Sequence, residues 1–316
     1  MGTGLAHDRN AHHGFQTTLA VLALSLTSSF WAFNSVIGRA VRDDISPVAL
    51  SFWRWLVPVA ILAPIVWREL EREWPVIRRE WKMLLLLGLI GTALHNVVTY
   101  WALHHTLAIN IQLFNSTVPL GVMLFAWIAL GARPQQRELS GFAISLLGVL
   151  IIICQGELAR LAGLDLNKGD LVALAAMLVW GVNTTLIKRR PPELSIWLFT
   201  FVTAAIGVLA LVPLFAWELV TVSASIIYTP LVWGGVMHMG ILGSLVATAF
   251  LSFGIDRLGP ARASLFTHLV PVFGALLAML LLGEALRWFH VAGFAMVLAG
   301  LVVCNQLRLA PVRAGE

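Results

Sequence analysis

Long apolar stretches alternate with short charged or Pro/Gly-rich breaks along the whole of this chain. Ten apolar runs stand out: Thr17–Gly38, Pro47–Val66, Met83–Leu103, Ala108–Leu130, Leu139–Cys154, Asp170–Ile187, Leu194–Phe215, Trp233–Phe253, Ala263–Leu282 and Phe289–Gln306. A hydrocarbon core about 30 Å thick takes roughly 20 helical residues per crossing. Each run is therefore expected to be one transmembrane helix. The runs are continuous rather than alternating with period two, which excludes an outer-membrane β-barrel. The break at His104–Leu107 is short enough to make a tight hairpin of helices 3 and 4, whereas Trp67–Lys82 is expected to be a loop. Ala216–Val232 is weakly apolar and predicts an interfacial turn or helix. The first run is too long for a signal peptide, and no small-x-small cleavage site precedes Arg39.

Composition removes the other broad classes. The 316 residues are 59% hydrophobic and 12% charged, with mean hydropathy +0.86, whereas about a quarter of a soluble domain is charged. Ten crossings use about 200 residues, so no soluble domain is expected. The net charge of +5 then reports orientation rather than a nucleic-acid partner. With the N-terminus inside, fifteen Lys and Arg fall on the inner segments and five on the outer loops, with Arg54 inside a span. Both termini are thus expected in the cytoplasm. Cys154 and Cys304 fall at opposite membrane faces and cannot pair within one chain.

Self-comparison is the most informative step. At an offset of 152, Gly88–Gly148 aligns without a gap to Gly240–Gly300, pairing Gly91/Gly243, Phe114/Phe266, Pro119/Pro271, Gly131/Gly283, Gly141/Gly293 and Gly148/Gly300. At an offset of 149, Trp31 and Asn34 align with Trp180 and Asn183. The expected organisation is a cytoplasmic tail (1–16), a five-helix repeat (17–154), an outer linker (155–169), a second repeat (170–306) and a cytoplasmic tail (307–316). Five spans per repeat is an odd number, so the second repeat must lie inverted in the membrane. Inverted repeats characterise secondary transporters, which bind substrate near the midplane between the halves.

Polar side chains within spans should face protein or water. They cluster on six helices: Trp31 and Asn34 on helix 1; His95, Asn96, Thr99, Tyr100 and Trp101 on helix 3; Asn115 and Ser116 on helix 4; Trp180 and Asn183 on helix 6; Ser244, Thr248 and Ser252 on helix 8; His268 on helix 9. These are the candidate substrate-binding residues. The alternative role for any one Ser or Thr is an interhelical hydrogen bond worth about 0.6 kcal/mol. No Asp or Glu lies inside a span, which disfavours cationic substrates. Arg54 could bind a substrate carboxylate or satisfy carbonyls where helix 2 packs. Pro119 and Pro271 each remove a helical hydrogen bond and, with Gly121 and Gly274, are candidate gating hinges. The glycines of helices 5 and 10 permit close packing, between the halves or in a dimer. Seven tryptophans, Trp53, Trp67, Trp74, Trp81, Trp217, Trp233 and Trp288, read as an interfacial belt. No spacing suits a metal or cofactor, and no His-Glu-x-x-His or Gly-x-Ser-x-Gly motif suggests an enzyme.

The paired Trp-x-x-Asn motifs at Trp31 and Trp180, Arg54, Pro119 and Pro271, and Gly283-Glu284 leading to Gly293 and Gly300 together resemble the drug/metabolite transporter superfamily, EamA type. Ala132 departs from that pattern, because the first half lacks the acidic residue that Glu284 supplies in the second. The resemblance implies an all-α integral membrane protein of two inverted five-helix repeats. It also implies export of small metabolites by alternating access, with no cofactor. Within the superfamily the chain is most similar to bacterial aromatic amino-acid exporters. An amino-acid substrate, uncoupled uniport, an inner-membrane setting and a monomer or weak homodimer are the resulting expectations; nucleosides or organic cations are the alternative substrates.

Overall fold

The computed structural model describes residues 3–41, 43–103, 114–157, 159, 168–221, 229–282 and 285–306. Ten helices carry the architecture among them. They are α1 (Thr3–Ala40), α2 (Pro47–Arg79), α3 (81–103), α4 (Val118–Leu130), α5 (Gln136–Ile153), α6 (Lys168–Ile187), α7 (Ile196–Thr221), α8 (Pro230–Leu258), α9 (260–282) and α10 (Trp288–Gln306). Eight are long and apolar enough to cross a membrane, and α4 and α10 are shorter apolar helices. The chain is an all-helical, multi-pass membrane protein.

Two boundaries differ from expectation. Helix α2 does not stop at Val66 but runs to Arg79. The charged stretch after Trp67 is rich in Glu and Arg, both good helix formers, and Arg72 pairs with Glu73 at 2.7 Å. Helix α7 likewise continues to Thr221, taking up the start of Ala216–Val232. The tight hairpin at 104–107, Gly283 and Glu284 lie outside the described residues.

The halves interlock rather than sit side by side. Helix α2 packs on α7 and α5 on α10, while α1 packs on α8 and α9 just as α6 packs on α3 and α4. Every one of these pairs crosses between the halves. The α5–α10 seam shows why glycine is needed. A Cβ on Gly148 would sit 2.7 Å from the Gly293 carbonyl oxygen, and one on Gly293 would sit 2.7 Å from that of Gly148. Gly141 and Gly300 repeat the contact, so these glycines join the two halves of one chain.

Helices α2 and α7 are antiparallel struts capped by each other. Ser46 receives the Ala49 N–H and donates to Glu218 Oε2 at 2.5 Å. Ser195 receives the Leu198 N–H and donates to Glu69 Oε2 at 2.8 Å. Ser46/Ser195 and Glu69/Glu218 share the 149-residue offset of the tryptophans. Each serine satisfies an orphan helix N–H and ties in the far end of the opposing helix.

The candidate hinge prolines need a correction. Helix α4 begins only at Val118, after a turn at Ser116–Thr117, and α9 passes through a 3-10 turn at Phe266–His268 before resuming at Leu269. The breaks precede the prolines. Pro119 and Pro271 therefore occupy the first turn of a new segment, where a missing N–H costs little. The exposed carbonyls are taken by side chains: Ser28 donates to Phe266 O at 2.7 Å, and His268 Nε2 donates to Ser116 O at 2.9 Å.

Candidate functional site

Two π-helical stretches form the centre of the site. Helix α3 widens over Gly88–Leu94 and α8 over Ile241–Val246, at equivalent positions of the two repeats. A π segment adds a residue to the turn and often marks a functional site. Its glycines let neighbouring helices close in. A Cβ on Gly88 would lie 2.7 Å from the Ile206 side chain and 2.8 Å from Thr203 O; one on Gly240 would lie 2.6 Å from Val57 and 3.0 Å from Arg54 O. Val57/Ile206 and Arg54/Thr203 again obey the 149-residue offset. Arg54 is thus the repeat partner of Thr203, and the two halves differ here by a permanent charge.

The paired asparagines lie against these segments. The Asn34 amide occupies the space a Cβ on Gly243 would fill, and the Asn183 amide does the same at Gly91. Trp31 Nε1 donates to Gly243 O at 3.2 Å. Arg54 gathers both segments: Nε donates to Ser244 Oγ at 2.7 Å and Nη1 to Asn96 Oδ1 at 3.3 Å. Nη2 reaches Gly243 O at 3.5 Å. Asn96 in turn donates to Thr92 O at 2.8 Å. The Arg54 guanidinium also lies 5.6 Å from the Trp55 ring. Aromatic rings close the other side. Trp31 meets Trp180 edge-on at 5.6 Å, and His95 stacks on Trp180 at 4.8 Å. A carbonyl only accepts, so the contact of His95 Nδ1 with Ala176 O at 3.1 Å places the proton on Nδ1.

Five of these residues, Trp55, Gly91, Thr92, Trp180 and Asn183, line a cavity of about 30 Å³ together with Leu87, Ile187, Phe199, Thr203, Thr248 and Leu251. It has room for a water or two. None of the lining residues is a carboxylate. A larger cleft, about 620 Å³, opens between the end of α2 and the α6–α7 connection, with Arg79, Lys82 and Arg189 facing Glu80 and Glu193. Arg79 bonds Glu193 at 3.1 Å across it. Backbone hydrogen bonding and Arg79 hold the Glu193 carboxyl below the usual carboxylate range. Met83 and Leu186 line the cleft, while Leu87 and Ile187, a turn and a residue further on, line the central cavity.

The sequence candidates distribute unevenly around this centre. Trp180, Asn183 and Thr248 line the cavity; Trp31, His95 and Asn96 touch its lining residues, while Asn34 and Ser244 lie at the α8 π segment, on Gly243 and Arg54. His268 does not line it. That ring is 1% exposed and bonded at both nitrogens, to Ser116 O and, at 2.7 Å, Ser145 Oγ. Asn115 and Ser116 sit at the α4 break beside it. Thr99 and Ser252 are packed with buried hydroxyls that have no hydrogen-bond partner among the described residues. Trp101 is 45% exposed on the outer surface of the bundle, and the Tyr100 side chain lies outside the described residues. A Cβ on Gly181 of α6 would lie 3.3 Å from the Gly121 carbonyl carbon, while nothing lies within 4 Å of a Cβ on Gly274. Of the belt tryptophans, Trp53 is turned inward against Trp233 at 5.3 Å; Trp67, Trp74, Trp81, Trp217 and Trp288 are exposed. Sequence reasoning missed Trp55, Phe199 and Thr203. Thr203 was available through its 149-residue register with Arg54.

The sequence carries the matching relationships. Residues 18–154 and 167–306 match the EamA-like transporter family. YyaM of Bacillus subtilis, an uncharacterised transporter, is 26% identical over 82% of this chain and 85% of its own. An uncharacterised transporter of Archaeoglobus fulgidus is 25% identical over 89% and 95%. A probable terminal-alkyne amino-acid exporter of Streptantibioticus cattleyicolor is 27% identical over 92% and 94%. A crystal structure superimposes with a TM-score of 0.71 at 19% identity, over 94% of this chain and 99% of that one. Together with the inverted pairing of helices, these matches place the chain in the EamA-like transporter family of the drug/metabolite transporter superfamily, as a multi-pass membrane transporter.

Proposed function

We propose that this transporter exports amino acids, aromatic ones included, by alternating access through the cavity between the repeats. The observation that carries the reading is the two-fold-related pair of contacts, Asn34 on Gly243 and Asn183 on Gly91. They set equivalent primary amides, rich in donors and acceptors, in the two halves, and Asn183 lines a cavity whose described lining has no carboxylate. A cationic substrate would lack a counter-charge there, whereas a zwitterion meets amides, hydroxyls and aromatic faces. The relatedness to a probable amino-acid exporter supports the same class. Residues 17–154 and 170–306 form the two repeats, joined by 155–169, and alternation comes from α3–α4 and α8–α9 bending against the interlocked remainder. The prolines after the paired breaks in α4 and α9 are the hinges, and the 620 Å³ cleft is the vestibule on the Lys- and Arg-rich side. That charge bias supports cytoplasmic termini in a bacterial inner membrane. Because the α5 and α10 glycines are spent within one chain, a monomer suffices.

The test is efflux of labelled tryptophan or phenylalanine from liposomes holding the purified protein, without an ion gradient. Saturable efflux, competed by other aromatic amino acids, is the expected result and identifies a uniporter. Competition by nucleosides or organic cations but not by amino acids would replace the substrate class.

A further inference from the structure

Trp55 stands apart among the residues that line the central cavity. Its side chain is 6% exposed, and its indole N–H is buried with no hydrogen-bond partner among the described residues. An N–H desolvated in this way costs about 1–3 kcal/mol. Such donors are rare in folded chains and call for a reason. Trp31 provides the contrast, because its N–H is spent on Gly243 O. Trp55 is also held in place, between the Arg54 guanidinium at 5.6 Å and the buried face of α7 at Ala204 and Val208. Its position in the second repeat, at the 149-residue offset, is occupied by Ala204, which has no donor. Trp55 lines the cavity from α2, and the Arg54 guanidinium lies beside its ring, so a spare donor and a positive charge stand on that side of the space. A substrate with unlike ends would be oriented by that asymmetry, its acceptor end towards α2 and its donor end towards the Asn183 amide.

We propose that Trp55 is a specificity-determining residue whose indole N–H reads the carboxylate of the substrate. This rests on the amino-acid reading above. The ring edge offers one linear donor, and the adjacent guanidinium adds positive potential without leaving its own partners Ser244 and Asn96. The substrate carboxylate supplies the acceptor that the described residues do not give this N–H.

Three probes share one ring system: tryptophan with both charges, indole-3-propionate with the carboxylate alone, and tryptamine with the ammonium alone. Binding to the purified full-length protein is read from ligand-induced thermal stabilisation, for wild type and for Trp55→Phe. The substitution keeps an aromatic ring and removes the N–H. The affinity of both carboxylate-bearing probes is expected to fall about 10- to 100-fold, while tryptamine changes less than about twofold. Equal losses for all three would show that Trp55 acts through cavity shape, and no loss would show that the N–H is unused; either result overturns the assignment alone. A wild type stabilised by none of the probes would bring down the amino-acid reading, and this assignment with it. Should Trp55→Phe fail to yield monodisperse protein, Trp55→His, which retains a ring N–H, is expected to keep the preference for carboxylate probes over tryptamine. Loss of that preference in a folded Trp55→His protein would count against the proposal.

Discussion

Asn34 and Asn183 show how much of the site is decided by single residues. Each amide fills the space beside a glycine of a π segment, and Asn34 Oδ1 is buried without a hydrogen-bond partner among the described residues. Replacing either asparagine by Ala removes amide groups that a substrate would complete, and transport is expected to fall about tenfold. The melting temperature should barely move. Normal efflux from both single variants would dissociate this layer from transport. Arg54 behaves differently. It bonds groups from α3 and α8, so Arg54→Ala leaves buried acceptors unmet and is expected to cost about 1–3 kcal/mol, read as a lower unfolding midpoint. The asparagines, Trp31, Trp180, Ser244 and Thr248 were legible because a polar or Trp-x-x-Asn pattern inside an apolar run has few roles. Trp55 was not, because an indole beside an arginine near a helix start is indistinguishable in sequence from an interfacial anchor. His268 misled for the opposite reason. A buried histidine looks the same whether it meets substrate or, as here, closes a helix break through Ser116 and Ser145.

At the scale of elements, close packing and helix breaks divide the labour. The α5–α10 seam tolerates no side chain at Gly148, so Gly148→Leu is expected to abolish recovery of folded protein. Gly274→Ala, with nothing near the added Cβ, should leave yield and melting temperature unchanged. The pair of variants separates a packed seam from glycines that merely permit bending, and equal tolerance at both positions would contradict the seam. Existence and order of the helices followed from hydropathy alone. Their irregularities did not. The π segments of α3 and α8 leave no mark in composition, since only the hydrogen-bond register changes. The extension of α2 past Val66 was hidden because charged residues at a membrane surface suit a loop and a helix equally. The breaks in α4 and α9 were visible as prolines but misplaced by a few residues, because a proline starts a segment at less cost than it interrupts one.

For the whole molecule, two neighbouring offsets recur. Asn34/Asn183, Ser46/Ser195, Arg54/Thr203 and Glu69/Glu218 lie 149 apart, and Gly88/Gly240 with Gly91/Gly243 lie 152 apart. The inverted repeat therefore appears both in the caps of α2 and α7 and in the π segments with their facing asparagines. Two equivalent halves locked along α2–α7 and α5–α10 leave α1, α3, α4, α6, α8 and α9 as the elements that can rearrange. The exchange of such halves between two arrangements of similar energy is what alternating access requires. The measurement that bears on it most directly is thiol accessibility at Thr248. With the two buried cysteines, Cys154 and Cys304, replaced by Ala, a Thr248→Cys protein in sealed vesicles of known orientation is treated with a membrane-impermeant thiol reagent from one side and then from the other. Labelling from both sides, slowed by saturating aromatic amino acid, is the expected result. Labelling from one side only, or from both at a rate that substrate does not change, would contradict a cavity that opens alternately between the two repeats.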